Sequence, residues 1–119
     1  MTIAQNIEHT DRVKPNAFSP EDKLIWLNEL EYAVQTDVFG MTEGFSSHSM
    51  EGACTDAPLI PEPYHKVYPA YLEARIDAAN GEWDEYDNAM ALFNGFLGEF
   101  QRWYARNHID NEETRADGE

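Results

Sequence analysis

The chain reads as mainly α: a small helical domain of three main helices, with a long loop between the first and the second. Three observations predict it. Apolar residues recur at three- and four-residue spacing over long stretches, as on one face of a helix. Ser19-Pro20-Glu21-Asp22 is a strong helix start, and Asn80-Gly81 breaks two amphipathic, aromatic-dense stretches. A length of 119 residues with 42% hydrophobic and 13% aromatic residues suits one domain with its own core.

Residues 1–18 mix polar groups with isolated Ile3, Ile7 and Val13, and are expected to be a flexible N-terminal arm. A helical domain then spans residues 19–108. Its first helix runs from Pro20 to Thr36. Ser19 caps the free N–H groups, Pro20 suits the first helical position, and Glu21 and Asp22 favour the positive end of the dipole. Leu24, Leu27, Leu30, Ala33 and Val34 supply its apolar face, flanked by Trp26.

Residues 37–62 hold Gly40, Gly44, Gly52, Pro58 and Pro61 and show no steady period. They are expected to form a long loop, with room for a short hairpin built from extended pieces near 38–41 and 59–60. The second helix opens at Pro63, either kinked at Pro69 or regular from Pro69 onward. Its apolar face is Val67, Tyr68, Tyr71, Leu72, Ile76 and Ala79, and Asn80-Gly81 ends it.

The third helix is expected from Trp83 to Asn107. Tyr86, Met90, Phe93, Leu97, Phe100 and Tyr104 trace one stripe, which Leu92, Phe96 and Trp103 widen on one side. The resulting apolar arc covers about half the circumference, against the ~100° that a single core needs. Gly95 and Gly98 lie opposite, each costing about 1 kcal/mol relative to alanine, which suits close approach of another backbone. Subunit contacts through Trp26, Trp83, Leu92, Gly95, Phe96, Gly98 and Trp103 follow as the expectation. Residues 109–119 are expected to be a disordered acidic tail.

Aspartate and glutamate outnumber lysine and arginine 23 to 8, a net charge of −15 spread through both halves. Such a surface repels DNA and anionic membranes, since phosphate contacts need basic side chains. Two exceptions survive: a DNA mimic, and a ring whose acidic bore lets DNA slide. The single Cys54 forms no intramolecular disulfide, which suits a reducing compartment. The first residues lack a signal-peptide pattern, and no apolar run approaches the ~18 residues of a membrane helix, so a soluble cytoplasmic protein is expected.

No catalytic, cofactor or metal site is expected. His9, His48, His65, His108 and Cys54 lack zinc-type spacing. Glu73 with Asp77, and Glu82 with Glu85, are carboxylate pairs of the kind usually solvated on an acidic helical surface. Ser46-Ser47-His48-Ser49 places a nucleophile beside a base, but neighbours in a loop are poorly pre-organised and no oxyanion-hole motif accompanies them.

Residues Ile25 to Glu31, Leu59 to Tyr68, Tyr71 to Asp77, Asn80 to Glu82, Tyr86 to Asn88, Leu92 to Asn94 and Phe100 to His108 together form a pattern. It resembles small head-tail connector (adaptor) proteins of tailed bacteriophages and prophages, those of siphophages infecting Gram-positive bacteria above all. Pro69 and the Gly/Ser-rich loop at 40–55 depart from it. The resemblance implies a virion structural protein at the neck, assembled in the host cytoplasm. There, typically twelve copies form a ring under the portal protein, extend the DNA channel and dock the next neck or tail-completion protein. The rival expectations are an acidic DNA-mimic inhibitor of a host nuclease or restriction enzyme, and a small hydrolase built on Glu/Asp pairs.

Overall fold

A computed structural model describes the backbone of residues 1–117 and the side chains of residues 1–107. Among the described residues the chain is mainly helical and has no strand. Four α-helices follow in order: α1 (Ile3–Val13), α2 (Pro20–Ala33), α3 (Val67–Ala79) and α4 (Trp83–Asp117).

The segment expected to be a flexible arm is α1, and this corrects the sequence reading. Thr2 and Gln5 close a reciprocal capping box: Thr2 Oγ1 accepts from the Gln5 N–H at 3.1 Å, and Gln5 Oε1 accepts from the Thr2 N–H at 2.8 Å. Ile3, Asn6, Ile7 and Thr10 form the buried stripe. Asn6 and Thr10 turn their polar ends onto the helix itself, donating to the carbonyls of Thr2 and Asn6. Polar residues can thus complete a core-facing stripe that apolar spacing alone does not reveal.

α2 starts where its signals place it, with Ser19 Oγ accepting from the Asp22 N–H at 3.1 Å. It then widens into a π-helical segment, Val34–Val38, that stops at Phe39 and Gly40, the latter with φ of 70°. Lys23 is buried, and its ammonium reaches Asp11 at 2.5 Å and the Phe18 carbonyl at 2.9 Å, pinning the end of α1 to the start of α2.

No hairpin forms in the long loop, whose regular piece is a single 3₁₀ turn, Gly52–Cys54. Side chains of α2 and of the π-helical segment that follows it take the place of a partner strand. Asn28 pairs with both the N–H and the carbonyl of His48, each at 2.9 Å, and Gln35 does the same for Ser46 at 2.8 and 3.0 Å. Asn28 of α2 and Gln35 of the π-helical segment that continues it lie seven residues apart, and they hold alternate residues of the loop, His48 and Ser46.

Pro69 falls in the first turn of α3, where a missing N–H breaks no intrahelical bond. The helix ends in a Schellman motif: Glu82 N–H reaches the Asp77 carbonyl at 2.9 Å, and Gly81 N–H reaches that of Ala78 at 3.1 Å. Gly81 has φ of 73°, the left-handed geometry this cap requires. α3 is buried on most sides (Val67, Tyr68, Ala70, Leu72, Ala74, Ile76 and Asp77), with α1, α2 and α4 packed around it. A single apolar face was expected, and Ala79, assigned to it, is exposed.

α4 packs through its buried Phe93 and Phe100, with Tyr71 of α3 against Phe93 at 5.1 Å and Tyr64, just before α3, against Phe100 at 5.9 Å. Its backbone continues past Asn107 into the segment expected to be a disordered tail. The side chains of that tail, and residues 118 and 119 altogether, lie outside the described residues.

Candidate functional site

Leu92, Phe96 and Trp103 share one flank of α4, because steps of four and seven residues return to nearly the same side of a helix. They span about 16 Å along its axis. Leu92 is 59% exposed. Phe96 is half-buried, with the Lys66 ammonium 5.9 Å from its ring centre. Trp103 is half-buried as well, but it packs on Tyr64 at 5.6 Å and stacks on Phe100 at 6.0 Å. The stripe therefore grades from open at Leu92 to largely committed at Trp103.

The other residues expected at an interface are dispersed. Trp83 is 60% exposed in the first turn of α4, with Tyr86 beside it at 5.7 Å. Nine residues separate it from Leu92, which puts the two on opposite sides of the helix. Trp26 lies on α2, covered by Phe18 at 5.5 Å and by the Arg75 guanidinium at 5.3 Å. Among the described residues, a Cβ at Gly95 would meet nothing within 4 Å and one at Gly98 only the Arg102 guanidinium at 3.3 Å, so no other described helix packs closely against either glycine.

A second constellation went unnoticed in the sequence. Glu31 of α2 is fully buried, and its carboxylate gathers donors from three places. Oε1 accepts from the Leu59 N–H at 3.0 Å and lies 3.1 Å from His48 Nε2, while Oε2 accepts from the Tyr68 hydroxyl at 2.9 Å. The same Tyr68 oxygen accepts from the Ile60 N–H at 2.9 Å. His48 Nδ1 lies 2.9 Å from Asp56 Oδ2. Its imidazole is thus held between two carboxylates. Burial disfavours its charged form, but hydrogen bonds to Asp56 and Glu31 outweigh that and raise its pKa. Burial, followed by the charge of Glu31, pushes the Tyr68 phenol well above its usual range. Both ring nitrogens face carboxylates, so the ring is turned onto Glu31 and Asp56 rather than toward the neighbouring serines.

The third cluster joins Asp77, Glu82 and Glu85, whose carboxylate oxygens lie within 4.8 Å of one another. Asp77 is buried, and Lys14 reaches both it and, at 3.3 Å, Glu85. That ammonium offsets part of the cluster's negative charge. Burial opposes the charged form of Lys14, but the bonds to Asp77 and Glu85 prevail and raise its pKa. A hydrogen bond shared with Glu85 raises Glu82 and lowers Glu85. The cluster ties the end of α1 to the α3–α4 corner.

Comparison of the chain with protein-family models, with curated proteins and with solved structures finds no match.

Proposed function

We propose that this chain is an assembly subunit, a head-tail connector of a tailed phage. Copies of it form a ring beneath the portal protein, dock the next neck component, and let DNA pass through the bore without binding it. It works by multivalent protein–protein contact and performs no turnover. The observation that carries this reading is the open flank of α4. Leu92, more than half exposed on that flank, forgoes about 1 kcal/mol of burial that a neighbouring surface would recover, and Trp83, as exposed on the opposite side of the helix, offers a second neighbour a separate contact. Exposed Gly95 offers a neighbour close approach to the helix backbone. The motif resemblance over residues 20–108 supplies the identity of the assembly, and the charge of −15 suits a channel that must not hold DNA.

Size-exclusion chromatography with light scattering, with and without the portal protein of the parent phage, tests the proposal. The wild-type chain should assemble or bind portal. Leu92→Glu should abolish both while shifting stability by less than about 0.5 kcal/mol, as expected at an exposed position. A wild-type chain that stays monomeric and never binds portal overturns it.

A further inference from the structure

We propose that His48 is a proton-operated latch: as an imidazolium it bridges Asp56 of the 40–62 loop and Glu31 of α2, and on losing its proton it gives up one of those two bonds and loosens the loop. The geometry demands two donors. One carboxylate sits at each ring nitrogen, Asp56 at 2.9 Å from Nδ1 and Glu31 at 3.1 Å from Nε2. A neutral imidazole carries one N–H and one lone pair, so whichever tautomer forms, one carboxylate faces a lone pair instead of a donor. Of the two carboxylates, Glu31 is fully buried and cannot be resolvated in place, whereas the Asp56 side chain is 41% exposed, so loss of the proton frees the Asp56 side of the ring first.

The groups that face the ring come from every element around it. α2 contributes Glu31, with Asn28 holding the His48 backbone. The loop contributes Asp56 and the Leu59 N–H, and α3 contributes Tyr68, which donates to the far oxygen of Glu31. These contacts make the latch a junction. The Asp56 carbonyl also accepts from the Ile3 N–H at 3.1 Å, so release of Asp56 would loosen the first turn of α1 as well.

The sign follows from the raised folded-state pKa of His48. The latch contributes in full below the ordinary histidine value of ~6.5, and its contribution is lost as pH rises through the higher folded value. The inference stands apart from the assembly proposal, since it concerns the isolated chain.

The test is a pH titration of the full chain by NMR, following the His48 ring and amide-exchange protection factors corrected for intrinsic exchange. His48 should titrate above ~6.5. Protection at Ser46, His48 and Leu59 should fall through the same midpoint, by about tenfold for each unit of upward displacement, while Leu72 and Ile76 of α3 stay protected. Asp56→Asn should move the midpoint down, and His48→Gln should remove the pH dependence of the loop. Titration at or below ~6.5, or loop protection that is flat across the midpoint, overturns the latch. The wild-type measurement decides the matter even where a variant does not fold.

Discussion

Glu31 places its carboxyl group where there is no exposed surface, and three groups from distant parts of the chain meet on it. An unpaired carboxylate there would cost several kcal/mol, so its donors are the condition of its burial. Tyr68 is the one whose removal is cleanest, because phenylalanine keeps the ring packing. Tyr68→Phe deprives Glu31 of a donor and the buried Ile60 N–H of its acceptor. It should lower unfolding stability by about 2–3 kcal/mol, read from the urea midpoint at constant m-value. A shift within about 0.5 kcal/mol would mean that the network contributes no net stability. Tyr68 was legible as core from its helical spacing. Glu31 was not: a glutamate within a helical run is ordinarily solvent-facing, and nothing local marks this one. His48 read as a loop residue because its two carboxylates stand 8 and 17 residues away in sequence.

At the scale of elements, legibility tracked how local the determinants are. The start of α2 and the end of α3 are written in contiguous residues, Ser19 to Asp22 and Asn80-Gly81, and the structure forms both. α4 shows its core stripe plainly. α1 was missed because two of its four buried positions, Asn6 and Thr10, are polar, which halves the apolar signal. Its Thr2–Gln5 capping box was a readable mark of a helix start all the same. The loop's lack of strand pairing was unreadable, since the amides of Asn28 and Gln35 that hold it sit on another element. Whether α1 is integral to the fold can be measured. Ile3 has no exposed surface, so Ile3→Ala should cost about 2–5 kcal/mol by chemical denaturation. A mobile arm would show no change.

For the whole molecule, the decisive quantity is the charge of −15 on 119 residues. Copies brought together in the proposed ring would repel one another, and the apolar flank of α4 would have to overcome that repulsion. Added salt screens exposed charges, with a Debye length of about 10 Å at 0.1 M and about 3 Å at 1 M, but leaves apolar burial intact. Self-association should therefore tighten as salt rises from about 0.05 M to about 0.5 M, and sedimentation velocity at fixed protein concentration reads this directly. An acidic DNA mimic depends on the opposite balance. Its contact is attraction to a basic enzyme, which the same salt weakens. The two functions thus predict opposite slopes for their respective complexes. Assembly that dissolves with added salt would place the binding energy in charge rather than in Leu92 and Trp83, and would remove the physical ground for a ring built on α4.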